Sequence, residues 1–170
     1  MLFRSHNGRF SIEEPRQALS NPYTGVAAIF ASRLLNRNAP IVFEDGQQMR
    51  DFVNVRDVVQ ANLLALTSSG IDGMAVNVGS GKPITIFQVA EDIACMLGIE
   101  IDAKIPGVYR AGDVRHCYAD ISKISRELGY IPRVNFRQGV AELVEWIRSQ
   151  QAHDYTEQAL LQLTTRGLVA

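Results

Sequence analysis

The segment that most constrains the fold is a strand that runs into a helix without an intervening loop. From Arg50 to Asn54 polar and apolar residues alternate, which predicts a strand with one face toward the core. From Val55 to about Thr67 apolar residues recur on every turn, which predicts a helix that is largely buried. The side chain of Asn54 can cap this helix by accepting a hydrogen bond from its first amides. We therefore expect a mixed α/β fold.

Other periodic segments predict further helices and short strands around this unit. Met74 to Val78 and Ile41 to Phe43 are strand candidates. The first twenty residues show no periodicity long enough to predict an element, so we treat them as an arm. The expected helices are 21–36 starting at Asn21-Pro22, a helix capped by Thr85 and closed by Gly98, 121–128 capped by Asp120 and stopped by Gly129, 136–149 capped by Asn135, and one beginning near Asp154.

Length and charge limit the classes of protein to which the chain can belong. With 170 residues it has room for one compact domain. Lys and Arg number 17 and Asp and Glu 18, a net charge of -1, so we expect no binding to nucleic acid or to a charged membrane surface. No apolar run is long enough to span a membrane, and the start of the sequence lacks a secretory pattern. Neither Cys95 nor Cys117 belongs to a C-x-x-C pair, which disfavours a disulfide scaffold and favours a cytoplasmic location.

Motifs for catalysis or metal binding are few. The run Gly79-Ser80-Gly81-Lys82 is similar to a phosphate loop, but Val76 stands where the first glycine is needed and Pro83 where a hydroxyl is needed. We interpret the run as a tight turn between a strand and a helix. The three histidines are scattered without metal-ligand spacing, and no G-x-S-x-G elbow is present. No metal site and no hydrolase site are expected.

Four separated residues are of the types that bind a nucleotide diphosphate. Arg50 and Arg110 can form charge-assisted hydrogen bonds with two phosphates. Phe43 can cover a base, and the carboxylate of Asp113 can accept hydrogen bonds from ribose hydroxyls. The spacing of these residues therefore allows a site for a nucleotide diphosphate.

Three of these residues also have a purely structural interpretation. Arg50 can pair with Asp51 or with Asp57, Phe43 can belong to the core, and Asp113 can be a turn residue. The pattern of residues leaves these alternatives open.

The segment from Arg50 to Val59 resembles a family signature, R-D-[FY]-[VI]-[HN]-V-x-D-[VL]. This signature marks the extended short-chain dehydrogenases/reductases, the NAD-dependent nucleotide-sugar epimerases and dehydratases of the UDP-glucose 4-epimerase type. The resemblance extends over roughly Pro15 to Arg148. Other segments that carry it are 21–23, 77–81, 110–113, 118–120 and 139–146.

The resemblance implies roles for five positions. In that family the residue at Phe43 covers the base, and main-chain groups near Ile41 and Phe43 contact a uracil edge. By the same resemblance Arg50 and Arg110 would hold the diphosphate, and Asp113 would hold the ribose. The implied ligand is a nucleotide sugar such as a UDP-sugar.

The sequence departs from the family where catalysis and cofactor binding are concerned. It has neither the G-x-x-G-x-x-G turn for NAD nor a Y-x-x-x-K pair. The resemblance therefore implies the carboxyl-terminal substrate domain with the Rossmann half missing, and no cofactor held by this chain although the full-length family uses NAD. We expect an arm over 1–14, a nucleotide-sugar-binding domain over 15–150 and a helical tail over 151–170.

Three functional hypotheses follow from the resemblance and its departures. The first is a nucleotide-sugar-binding portion that is not catalytic alone. The second is a truncated or rearranged interaction or assembly module without ligand binding, and the third is one half of a split epimerase whose Rossmann half is a separate chain. Because removal of a Rossmann half would leave apolar elements and strand edges uncovered, we also expect a homo-oligomer, with a monomer as the alternative.

Overall fold

The computed structural model describes residues 2–3, 11–13, 25–150 and 152–169. Within these ranges the chain forms short strands and six helices. The strands are β1 (Leu2–Phe3), β2 (Ser11–Glu13), β3 (Met49–Asn54), β4 (Ala75–Val76), β5 (Pro83–Thr85) and β6 (His116–Cys117). The helices are α1 (Val26–Leu35), α2 (Val55–Thr67), α3 (Ile86–Leu97), α4 (Ser122–Leu128), α5 (Phe136–Arg148) and α6 (Thr156–Thr165). The expected mixed α/β fold is confirmed.

The central strand of the main sheet is β3. Its last three residues pair in parallel with β2, and its first three pair antiparallel with β5. Its first two residues also pair in parallel with β6, in the register Met49 to His116. Because one stretch of strand can pair with two others only along its two edges, β5 and β6 hold the beginning of β3 from both sides. The strands β1 and β4 form a separate parallel pair.

The main core lies where α1, α3 and α5 pack against one another and against β3. Each helix contributes an apolar stripe, as the sequence periodicity predicts. The rings of Phe52 on β3 and Phe136 on α5 meet with centroids 5.1 Å apart. The buried members of this cluster are Ala27, Phe30, Ala31, Leu34, Val42, Phe52, Ile86, Val89, Ala90, Ile93, Val140, Leu143, Val144 and Ile147.

Three of the predicted helix caps are formed. The Asn54 side chain accepts from the Arg56 amide at 2.9 Å, and Thr85 accepts from the Gln88 amide at 3.1 Å. Asn135 and Gln138 form a reciprocal capping box at the start of α5. The helices α3 and α4 end at Gly98 and Gly129, both with positive φ, as expected.

The prediction that α2 is largely buried is wrong. Only Asp57 and Ala61 of this helix are buried, whereas Val59, Leu63 and Leu66 are 50%, 58% and 83% exposed. One side of α2 packs on a second, smaller cluster around Val76, Val78, Ile124 and Tyr130. The opposite side is exposed in the described part of the chain, because the main core is built from α1, α3 and α5 instead.

Smaller corrections concern element boundaries. The strand expected over 41–43 is an isolated bridge between Ile41 and Lys104, and the strand expected over 74–78 is limited to β4. Asp120 accepts from the Ser122 amide, but the residue at the N-cap position of α4 is Ile121, which has no side-chain cap.

The predicted arm contains the strands β1 and β2, which the sequence pattern does not indicate because each is only two or three residues long. The expected helix start at Asn21-Pro22 lies outside the described residues. The predicted terminal helix corresponds to α6. None of the helices in the described ranges is long and apolar enough to cross a membrane.

Candidate functional site

Two segments distant in sequence run side by side to form the candidate site. The Val42 amide donates to the Lys104 carbonyl at 2.9 Å, and the Glu44 amide donates to the Val108 carbonyl at 2.8 Å. The Lys104 amide donates in turn to the Pro40 carbonyl at 2.8 Å. These bonds place the predicted base-contacting residues, 41 and 43, beside residues 104–108. The pairing could not be predicted from local sequence, because no periodic strand pattern covers 104–108.

Arg50 lies at the beginning of β3, with its guanidinium directed toward Asp113 and Arg115. Its Nη2 contacts Oδ1 of Asp113 at 3.1 Å, and its Nη1 donates to the carbonyls of Met49 and Arg115 at 2.8 and 2.9 Å. The side chain is 19% exposed. Since a guanidinium carries five N–H donors, these three bonds fix its orientation and leave donors for a further anion.

The two alternative partners of Arg50 are occupied elsewhere. Adjacent residues on a strand point to opposite faces, so Asp51 lies on the other side of β3 from Arg50. Asp57 accepts from the Arg133 and Val134 amides at 2.9 and 3.1 Å. The interpretation of Arg50 as a partner of Asp51 or Asp57 is therefore wrong.

Asp113 lies in a turn and also pairs with Arg50. Its carboxylate accepts from the Val114 amide at 3.0 Å, and its own amide donates to the Arg110 carbonyl at 3.1 Å. Gly112 in this turn has a φ of 76°, which a residue with a side chain rarely adopts. Asp113 is therefore both a turn residue and a partner of Arg50, because the turn directs its carboxylate toward the arginine.

Arg110 opens the same turn and is half-buried. Its main chain forms a bridge with Val169 near the end of the chain. Its guanidinium makes no ion pair or hydrogen bond with any residue that the structure describes. Arg110 thus differs from Arg50, whose guanidinium is held by three acceptors, although the resemblance implies the same role for both.

Phe43 is half-buried and is absent from both clusters of buried residues, so its interpretation as a core residue is not supported. Its carbonyl accepts from the Gly46 amide at 3.2 Å and from Nε2 of Gln48 at 2.8 Å. Oε1 of the buried Gln48 has no hydrogen-bond partner within the described ranges. These contacts hold the loop after Phe43 in a tight turn.

Arg115 is a residue of this region that sequence reasoning missed. Its Nη1 contacts Oε2 of Glu44 at 2.5 Å, and its Nη2 contacts Oδ2 of Asp45 at 2.7 Å. The hydrogen bond from Arg115 lowers the pKa of Asp45, and those to Asp45 and Glu44 raise the pKa of Arg115. The guanidinium clamps the Phe43 loop onto the segment that carries Asp113. No local signal could have found it, since the partners are about seventy residues apart.

The glycine turn after β4 is filled by a carboxylate of the protein itself. Asp51 accepts from the Ser80 amide at 2.8 Å, from the Ser80 hydroxyl at 2.5 Å and from the Gly81 and Ala119 amides at 3.1 and 3.2 Å. A Cβ at Gly79 would collide with this carboxylate and would lie 2.6 Å from Cβ of Ala119. The turn is therefore structural, although it leads into β5 rather than directly into a helix, and its amides do not fit the pyrophosphate of NAD.

In ranges 2–3, 11–13, 25–150 and 152–169 no group of three or more His, Cys, Asp or Glu side chains is placed to hold a metal ion. Cys95 and Cys117 are both free thiols.

Comparisons with known proteins point to one family. Residues 2–143 match the family model described as GDP-mannose 4,6 dehydratase. The match includes residues before Pro15, where the resemblance inferred from motifs begins. Among similar sequences, dTDP-L-rhamnose 4-epimerase of Burkholderia thailandensis is 33% identical over 136 residues, which are 80% of this chain and 37% of that protein.

Solved structures agree with this assignment. The UDP-glucose 4-epimerase of Thermotoga maritima, crystallised with UDP-glucose, superposes with a TM-score of 0.73 at 34% identity, covering 81% of this chain and 43% of that one. A UDP-N-acetylglucosamine 4-epimerase of Methanobrevibacter ruminantium, in complex with UDP-N-acetylmuramic acid, gives 0.75 at 35% identity, covering 84% and 45%.

The chain spans less than half the length of these relatives. The family model nevertheless matches most of the chain, and the matched residues include β3, α2 and the segment of the candidate site. The chain therefore belongs to the family of that model, the NAD-dependent nucleotide-sugar epimerases and dehydratases.

Proposed function

We propose that this chain supplies the nucleotide-sugar-binding portion of such an enzyme and does not turn over substrate by itself. The observation that carries the proposal is the fixed guanidinium of Arg50. Asp113 and two backbone carbonyls hold it beside the turn on which Arg110 lies. A guanidinium that is already ordered loses little conformational freedom when it binds an anion, which favours binding.

We propose that the other candidate residues contact successive parts of a nucleotide sugar. Arg50 and Arg110 are proposed to contact the diphosphate, and Asp113 to accept from the ribose while it orients Arg50. Phe43 is proposed to cover the base, with main-chain groups near Ile41 and Phe43 at its edge. Arg115 stabilises this arrangement without contacting the ligand, because its ion pairs with Glu44 and Asp45 hold the Phe43 loop against the Asp113 segment.

The ligand class follows from the relatives. Their names include UDP-glucose, UDP-glucuronate and dTDP-glucose enzymes, so a pyrimidine nucleotide sugar is the proposed ligand, with a UDP-sugar first. We propose a cytoplasmic location, where thiols such as Cys95 and Cys117 stay reduced.

Independent turnover is not proposed, because the sequence lacks the Y-x-x-x-K pair that would move the proton and the glycine turn that would hold NAD. Pure protein mixed with NAD and UDP-glucose is expected to give no UDP-galactose. Turnover in this assay would contradict the proposal.

Calorimetry with UDP, dTDP and GDP tests the binding site. The parent is expected to bind UDP, and Arg50→Ala and Arg110→Ala are each expected to weaken binding by about 1.5 to 3 kcal/mol, the scale of hydrogen bonds to charged groups. Lysine at either position should not restore full affinity, because it cannot donate in a planar fork.

Arg126→Ala is the matched control for this experiment. Arg126 is exposed and pairs with its neighbour Glu127, outside the candidate site. This variant is expected to bind UDP like the parent. Equal UDP binding by the parent and both site variants would refute the assignment of Arg50 and Arg110.

The exposed apolar face of α2 favours a second candidate function, a module that assembles with another chain. The partner would be a second copy or a separate chain with the Rossmann half. A thermal shift with UDP-sugars separates the candidates: stabilisation supports the binding function, and its absence together with capture of a Rossmann-half chain supports the assembly function.

A further inference from the structure

The C-terminal segment, residues 152–169, connects one edge of the main core to the candidate site. It lies beyond residue 143, where the match to the family model ends. It contains α6 and docks on the rest of the chain at both of its ends. Specific polar contacts form at each end.

At the first end, the segment contacts the buried side chain of an arginine. Arg33 on α1 is 1% exposed, its Nε donates to the Ala39 carbonyl at 2.6 Å, and its Nη1 contacts Oδ2 of Asp154 at 3.1 Å. Asn38 donates to the same carboxylate oxygen at 2.8 Å. Because a buried charge is costly without a partner, Asp154 is held firmly at the end of α1.

At its other end, the segment pairs with the turn that carries Arg110. Val169 forms an antiparallel bridge with Arg110, and the Ala111 amide donates to the Leu168 carbonyl at 2.9 Å. Gly167 makes this approach possible. Its φ of 66° follows the end of α6, and the chain then turns so that Leu168 and Val169 run along Arg110.

We propose that the C-terminal segment is a positioning element for Arg110. The inference rests on the proposed binding of a diphosphate by this residue. Pairing on one side with Val169 and the turn bond from Asp113 on the other fix the Arg110 backbone. The guanidinium is left without a partner among the described residues. It is therefore available to contact a ligand while its main chain is held in place. Without the pairing, ligand binding would have to order this turn.

Gly167→Val tests the inference in the whole chain. A β-branched residue strongly disfavours positive φ, so the variant should release Leu168 and Val169 from Arg110. We expect UDP affinity to fall by as much as about five- to thirtyfold, because the left-handed conformation costs a residue with a side chain about 1 to 2 kcal/mol. In the Arg110→Ala background, Gly167→Val should cause no further loss. A general loss of stability would not produce this dependence on Arg110.

Gly129→Val is the matched control. Gly129 follows the end of α4 with a φ of 65°, and at Gly129 as at Gly167 no heavy atom lies within 4 Å of the position that a Cβ would occupy. The backbone strain is therefore the same, while the C-terminal segment is untouched. This variant should bind UDP like the parent.

Hydrogen exchange at the Ala111 amide reports the release of the C-terminal segment directly. If the valine variant keeps that amide protected, a chain ending at Gly167 removes the two pairing residues instead. In either variant, release is expected to accompany the loss of UDP affinity.

The outcomes separate the two proposals. If the parent does not bind UDP, the proposed function fails and the inference fails with it. If the parent binds UDP, and a variant with an exchanging Ala111 amide binds it equally well, the inference alone is overturned.

Discussion

Tyr130 shows how one buried residue connects the second cluster to the glycine turn. Its ring is fully buried, and its hydroxyl donates to the Gly79 carbonyl at 2.9 Å. The same turn is held by Asp51 from the other side. Tyr130 and Asp51 together therefore fix the turn between β4 and β5.

Tyr130→Phe is expected to lower the free energy of unfolding by about 1 to 2 kcal/mol, because the Gly79 carbonyl loses its donor in a buried place. Urea denaturation at pH 7 measures the change. Tyr118→Phe is the control, since Tyr118 is exposed and its hydroxyl makes no hydrogen bond within the described ranges. Equal effects of the two substitutions would contradict the structural role of Tyr130.

The same residue predicts a pH dependence. Burial raises the pKa of Tyr130 above its ordinary value of 10.0, and the charges of Asp57 and Asp51 raise it further. The phenol stays protonated in the folded chain while the unfolded chain ionises, so its contribution to stability is complete below pH 10 and is lost as the pH rises above that value. The decline in the free energy of unfolding above pH 10 should be smaller in Tyr130→Phe than in the parent.

At the scale of elements, the start of α5 is fixed by its own sequence. Asn135 accepts from the Gln138 amide at 3.0 Å, and Oε1 of Gln138 accepts from the Asn135 amide at 3.1 Å. The first turn of this helix is also where Phe136 meets Phe52 of β3. The turn that the cap fixes therefore also carries an aromatic contact with the sheet.

Asn135→Ala is expected to cost about 1 kcal/mol of the free energy of unfolding, whereas Asn135→Asp should cost much less because aspartate caps equally well. Denaturant unfolding of the two variants provides the measurement. A loss of equal size in both would mean that the cap contributes nothing and that another contact of Asn135 matters.

At the scale of the whole molecule, the exposed face of α2 predicts self-association. Val59, Leu63 and Leu66 recur at helical spacing on one face, and Met74 is exposed as well. We expect a homodimer or larger oligomer, because exposed apolar surface of this kind favours a partner. The C-terminal segment packs on its own chain instead, through Asp154 and Val169.

Light scattering on the intact protein measures the oligomeric state. Leu63→Glu and Leu66→Glu should each shift an oligomer toward monomer without lowering the free energy of unfolding of the monomer, since both side chains are already exposed. Leu161→Glu is the matched control, since Leu161 is an exposed leucine on α6, outside this face. A monomeric parent would rule out self-association through α2.

Several features could be predicted from the sequence alone. The strand ending at Asn54, the helix that follows it and the caps at Thr85 and Asn135 are all confirmed. Each depends on contacts within about four residues or on a short period of apolar residues, so the signal lies within a short window of sequence. The signature beginning at Arg50 likewise indicated the family that the comparisons show.

The tertiary structure decided which distant groups meet. Arg50 contacts Asp113, 63 residues away, rather than its neighbour Asp51, because the alternation of a strand sends adjacent side chains to opposite faces. The clamp at Arg115 and the pairing of Arg110 with Val169 depend in the same way on how separate segments are brought side by side. Apolar composition indicated the helix α2 but not its exposure, because burial depends on which elements pack against it, and the core formed around α1, α3 and α5.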